Sequence, residues 1–340
     1  MGTQAAPAEQ AASEHVFQIA TGYISSAALY VAAKLKIADK LAGGPRSADD
    51  LAREANANAD VLYRILRTLS SVGIFEERPN GQFANNAASD TMRSGVQGSV
   101  HDMAIWLSDP FHFRAYAEML HSVMTGQPSV EKATGVPVFE YFGKDRELSE
   151  VFNNAMTMFS AFVIPAALDV YDFTGIGTIV DVAGGHGHVL TSILHRYPSM
   201  RGILFDLDHV IAGAIPRIRE LGLHGRCETV TGDFFKAVPA GGDAYIMKHI
   251  IHDWDDDRSL TILRNIRAAM KPGARVILLD SVLQPANTPD FGKLIDLEMV
   301  VMTGGRERTE EEFRGLFDRA GFTLTRVIPT KSPLSVIEAR

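Results

Sequence analysis

Residues 180–190 read VDVAGGHGHVL. An apolar run carrying one acid leads into Gly184, Gly185 and Gly187, and a second apolar run follows. These residues favour a buried strand, a tight turn and a helix. Glycine lets a ligand approach the backbone, and the first turn of a helix presents free N–H groups. Downstream, strand and helix patterns alternate. GILFDL (202–207), CETVTGD (227–233), AYIMKH (244–249) and ARVILLDSVL (274–283) read as strands. HVIAGAIPRIRELG (209–222) reads as a helix interrupted at Pro216, and DDDRSLTILRNIRAAMKPG (255–273) as a helix with a glycine stop. ERTEEEFRGLFDRAGF (307–322) is a last helix, before a strand pair in FTLTRVIPT and LSVIEAR. The alternation predicts an α/β fold with a mostly parallel, Rossmann-like sheet covered on both faces.

The loop also selects its ligand. A dinucleotide fingerprint needs G-x-G-x-x-G, but Gly185-x-Gly187 is followed by Leu190 where the third glycine belongs. Asp181 would sit badly beside a pyrophosphate and well beside the amino group of a methionine-type tail. Asp206 ends the next strand, where an acid can take both hydroxyls of a ribose. Asp233 and Phe234 follow the third strand; there an acid can accept from an adenine amino group and an aromatic ring can cover the base. In this order the cues suit S-adenosylmethionine (SAM), leaving S-adenosylhomocysteine (SAH) as product.

KHIIHDWDDD (248–257) concentrates two histidines and four aspartates around one tryptophan. His249 and His252 are three apart and do not form H-E-x-x-H, and spacing offers no third ligand, so no metal is expected. Asp255–Asp257 suit the start of the following helix, where negative charge complements the helix dipole. A structural histidine at a strand end is the plainer alternative for His252.

The first half of the chain is different. Residues 1–13 read as a flexible tail and 14–41 as one or two helices rich in small residues. Two helices over 47–72, a PNG turn and the short runs IFEE and QFANN then make a winged-helix pattern, and 14–98 is expected to be a dimerisation domain. Between residues 45 and 93 stand six arginines, no lysine and seven acids, a net −1, which does not suit phosphate neutralisation. Residues 99–172 are helical and rich in aromatics and Met, expected to help line an apolar substrate pocket, with the SAM-binding domain over 173–340.

Composition narrows the field. The chain of 340 residues carries a net charge of −8 and one cysteine, Cys227. This argues against nucleic-acid partners, an internal disulfide or a multi-cysteine metal site. The N-terminus lacks a basic n-region and an apolar h-region, and no run approaches the apolar length of a membrane span. A cytoplasmic protein is expected.

VDVAGGHG, FDLDHV, GDFF, KHIIHDW and GGRERT in series resemble the metal-independent small-molecule O-methyltransferases. That family includes plant caffeic acid and acetylserotonin enzymes and bacterial enzymes that tailor aromatic natural products. The resemblance spans nearly the whole chain and implies a homodimer. It implies Gly184 and Gly185 in the SAM loop, Asp206 on the ribose, Asp233 and Phe234 on the adenine, and Lys248 and Trp254 beside the cofactor. It makes His252 the general base, flanked by Asp280 and Glu307. Asp253 and Met302 are expected to touch a flat aromatic hydroxyl substrate. Ala183 stands where many members have glycine, Asp208 where proline is common, and Asp280 is shorter than the usual Glu. Relatives that methylate nitrogen, or decarboxylate or hydroxylate, leave the chemistry open to that extent, and a winged-helix regulator is a further alternative.

Overall fold

The computed structural model describes residues 7–340, with side chains from residue 11. The chain divides into two compact units: residues 1–113 with 145–158, and 114–144 with 159–340. The helix-rich stretch 99–172, expected as a separate connection, is therefore shared between the two.

In the first unit a helix runs over Pro7–Lys34, so residues 7–13 are helical rather than part of a loose tail. Residues 1–6 of that tail lie outside the described residues. Helices Ala48–Ala55 and Ala59–Ser71 start where Ser47 Oγ accepts from Asp50 N (3.1 Å) and Asn58 Oδ1 from Val61 N (3.0 Å). These caps satisfy N–H groups that the helix leaves free. Glu76–Glu77 and Gln82–Ala84 pair antiparallel across the PNG turn, and Arg46–Ser47 adds a third strand. Leu51, Leu62, Leu66, Leu69, Phe75 and Phe83 form the core beneath. On the first helix Val16, Phe17, Ile19 and Tyr23 are instead 62–70% exposed.

By length and composition alone, Ala11–Lys34 and Arg146–Val170 would suffice to cross a bilayer. Two such helices are weak evidence for a membrane, since neither holds an unbroken apolar run of that length: Ser and Thr interrupt both. The same composition serves close helix packing.

The second unit is built on a sheet of seven strands: β1 Thr178–Val182, β2 Arg201–Asp206, β3 Cys227–Thr231, β4 Ala244–Lys248, β5 Arg275–Asp280, β6 Leu324–Pro329 and β7 Ser335–Ala339. Their spatial order is β3-β2-β1-β4-β5-β7-β6. The first five are parallel, and β7 runs antiparallel to both neighbours. Residues 179–182 of β1 and 244–247 of β4 are buried throughout, as central strands covered on both faces require. One core packs Ile179, Leu190, Leu204 and Ile246 on one side; Val180, Met247, Ile262 and Phe313 belong to another. Asp208–Glu220 is one helix that contains Pro216, not two pieces. Strand order reverses between β1 and β4, so the crevice outside the carboxyl ends of these strands is the place for a ligand.

Candidate active site

Five neighbouring strands bring the candidate residues to that edge. β1 delivers the loop 183–187, β2 ends on Asp206, β3 leads to Asp233, β4 ends on Lys248 and β5 on Asp280. The two consecutive glycines of the loop answer different needs. A Cβ at Gly184 would lie 2.5 Å from Asp181 Cγ and from Leu204 Cδ1, so that position is closed by packing. Gly185 has φ +59° and nothing within 4 Å of a Cβ position, which leaves its face open for close approach. Ala183 adopts φ 55°, the left-handed region that glycine takes more readily.

Asp206 fits a ribose. Its Oδ2 accepts from Gly185 N (2.8 Å) and its Oδ1 from Leu207 N (2.7 Å). These bonds fix the carboxylate and leave each oxygen a further lone pair. Burial raises its pKa, against these two backbone bonds. Asp233 Oδ1 accepts from Phe235 N (2.9 Å), and the group remains partly exposed beside Lys236. Phe234 and Phe235 pack edge-on to Trp254 at 6.1 and 4.9 Å, so the aromatic cover is one cluster drawn from β3 and β4. An open glycine face, a fixed acid, an aromatic wall and Lys248 suit the adenosyl end of SAM. Asp181, expected at a ligand's amino group, is 1% exposed and accepts from Leu190 N (3.2 Å), so it ties the loop to the following helix, close enough to Asp206 and Lys248 to feel their charges. Burial pushes its pKa up to about 7.

His252 lies in the short turn Ile251–Asp253 after β4. Its Nδ1 is 2.7 Å from Glu307 Oε1, and its Nε2 is 3.6 Å from Asp253 Oδ1. A carboxylate only accepts, so Nδ1 carries a proton and, in the neutral ring, Nε2 is the basic nitrogen. Burial lowers the pKa of His252, but Asp253, Glu307 and Asp280 together overcome it and hold it at about 9. Burial in turn raises Asp253 to about 6 and Asp280 to about 7.

Asp280 does not bond to His252. Its Oδ1 accepts from His249 N (3.0 Å), and its buried Oδ2 has no partner. The shorter acid thus holds the backbone at His249, a residue strained at φ 56°. Met302, expected against the substrate, is only 4% exposed; the exposed apolar side chains of its helix are Phe291, Leu294 and Leu297. Asp255 caps the helix Asp256–Ala269 by accepting from Arg258 N (2.8 Å).

The segment GGRERT explains how Glu307 comes to His252. At Gly305 a Cβ would stand 2.0 Å from His252 O, so only glycine allows the two backbones to touch. Arg306 N donates to that same oxygen (2.8 Å). The Arg308 guanidinium, 1% exposed, donates to Ile251 O, Trp254 O and Asp256 Oδ1 at 2.9–3.2 Å. Sequence reasoning missed Gly305 and Arg308 as parts of the site, although both stand in a motif it had singled out.

The chain matches the model of an O-methyltransferase domain over residues 116–323 and that of an O-methyltransferase dimerisation domain over 17–95. It is similar to a phenazine O-methyltransferase of Lysobacter antibioticus, 44% identical over 96% of each chain. Among solved structures, a mitomycin 7-O-methyltransferase shares 36% identity and a TM-score of 0.91, covering 98% of both chains. An O-methyltransferase from neocarzinostatin biosynthesis, solved with SAM and 2-hydroxy-5-methyl naphthoic acid, shares 31% identity and a TM-score of 0.79 over 92% of this chain and 95% of that one.

Proposed function

The chain belongs to the SAM-dependent O-methyltransferase family, and from that premise we propose that it methylates a hydroxyl of a small aromatic acceptor with His252 as general base. The observation that carries this reading is the His252–Glu307 pair, 2.7 Å apart, on the same sheet edge as the glycine loop and Asp206. The relatives named for phenazine, mitomycin and naphthoic acid chemistry point to a flat, fused-ring acceptor.

SAM supplies a methyl group already activated on a sulfonium for in-line displacement. The chain's own task is to fix both partners and to take up a proton. Gly185, Asp206, Asp233, Phe234, Lys248 and Trp254 would hold the cofactor. His252 Nε2 takes the acceptor's proton as its oxygen attacks, a contribution of typically about 10²–10⁴-fold. Glu307 fixes the tautomer and stabilises the imidazolium. A positive charge seated near His252 would lower its pKa and favour the neutral base. Asp253, beside Nε2, would orient the acceptor's polar edge. The reading also takes residues 14–98 as the contact of a homodimer, 99–172 as contributing to the substrate pocket and 173–340 as the cofactor domain, in a cytoplasmic enzyme.

Calorimetry tests the cofactor site, with SAH expected to bind both the wild type and His252→Ala. Turnover of an aromatic acceptor should fall about 10²–10⁴-fold in His252→Ala. Unchanged turnover would reject the base; absence of SAH binding by folded protein would reject the whole reading. Product mass spectra and NMR separate methyl on oxygen from methyl on nitrogen, and from the non-methylating chemistries.

A further inference from the structure

His249 has no part in the account so far, yet its surroundings are unusual. Its backbone is left-handed and its N–H donates to Asp280 Oδ1. Its ring packs on His252 (centroids 4.5 Å apart) and on Phe159 (5.2 Å). Its Nε2 is buried without a hydrogen-bond partner, and Asp280 Oδ2 is orphaned in the same way. Buried polar atoms rarely remain unpaired in native proteins, because each costs the loss of its contact with water. A ring nitrogen of His249, a ring nitrogen of His252 and a carboxylate oxygen of Asp280 all lie within 4.8 Å of one another. Three atoms this close surround a point no more than about 2.8 Å from each, within hydrogen-bond reach of a single oxygen.

We propose that His249, Asp280 and His252 together form a site for one hydroxylic oxygen, either a water molecule or the acceptor's own hydroxyl, with His249 as the positioning residue that holds this oxygen against the base. A neutral imidazole can donate from one nitrogen and accept at the other, so His249 can serve an oxygen on either side of the proton transfer. Burial, together with the charges of His252 and Lys248, keeps His249 neutral, well below the ordinary pKa of a histidine. The inference deepens the proposed base mechanism and rests on it for the acceptor's hydroxyl, while the water arm stands without it.

The test begins with a crystal structure of the SAH complex at a resolution that shows ordered water, before and after soaking with an acceptor found by activity screening. An oxygen within hydrogen-bond distance of His249, Asp280 and His252 is expected. Water there in both crystals identifies a resident solvent site; its replacement by the acceptor's hydroxyl identifies a substrate site. A direct bond from His249 to Asp280 with no oxygen between, or a metal ion at coordination distance, overturns the proposal. His249→Phe and His249→Asn remove the contact in different ways, and asparagine tolerates the left-handed backbone. Both should keep wild-type SAH affinity and lose about tenfold in kcat/KM, as expected for one lost hydrogen bond. Both should also shift the pH profile of kcat/KM, which a purely structural residue would leave in place. Superimposable profiles with wild-type kcat/KM would contradict it.

Discussion

Glu307 sets the working state of His252, because it is the one carboxylate bonded to the ring among the described residues. Glu307→Gln keeps the length of the side chain and removes the charge, so the pKa of His252 falls from about 9. A base acts when neutral, so kcat/KM of the wild type should rise with pH through about 9. In Glu307→Gln the rise should come at lower pH, and the plateau should fall by about 10–10²-fold as the imidazolium loses its support. A profile with the wild-type midpoint would show that Glu307 does not govern the base. Asp181 offers a second test through stability. Its folded pKa, about 7 against 3.8 in the open chain, means that the native state binds its proton more readily. Its contribution is therefore fully present below the unfolded value and is lost as pH rises through about 7. Asp181→Asn keeps an acceptor for Leu190 N and cannot ionise, so its Tm relative to wild type should rise between about pH 4 and about pH 7 and level off above that. A difference that stays flat would contradict a buried carboxyl of raised pKa. Asp181 also marks a limit of sequence reading. Its place at a strand end was legible, but whether its side chain turned to the ligand or into the loop depended on the packing of Gly184 and Leu204.

At the scale of elements, the site is two segments closed against each other: the turn 251–253 after β4 and the strip 304–309. Their contact depends on Gly305. Gly305→Ala would drive a methyl into His252 O at 2.0 Å; the segments must separate, and the Glu307 bond to His252 goes with them. Loss of about 1–3 kcal/mol of stability is expected, together with nearly complete loss of methyl transfer. Near wild-type turnover in the purified variant would show that the closure is not needed. Removing Arg308 strands the buried carbonyl of Ile251 and takes a donor from the half-buried carbonyl of Trp254, and truncating such a buried charged network typically costs about 3–5 kcal/mol. This closure joins parts more than 50 residues apart in the chain. For that reason the motifs were visible in sequence while their relation was not. The alternation of strands and helices, by contrast, is a local pattern, and it led directly to the parallel sheet. Met302 lies at the end of a helix, Phe291–Met302, that the sequence reading did not pick out, and its 4% exposure there is set by packing that no local pattern shows.

At the scale of the molecule, the two matched domain models place an association module before a catalytic one. The exposed Val16, Phe17, Ile19 and Tyr23 on the first helix need a partner surface, since single apolar side chains in water are ordinary but a clustered group marks an interface. Light scattering should show a dimer for the wild type and a smaller species for Phe17→Asp with Ile19→Asp; a wild-type monomer would remove the dimer reading. The central claim concerns the chemistry at the carboxyl edge of the sheet, and isotope transfer tests it most directly. Wild type and His252→Ala are given SAM with a deuterated methyl group and hydroxylated fused-ring aromatics, and products are read by mass spectrometry and NMR. The account predicts one labelled methyl on an acceptor oxygen with the wild type, and about 10²–10⁴-fold less with the variant. A label on nitrogen or none at all, or equal transfer by the variant, would contradict it.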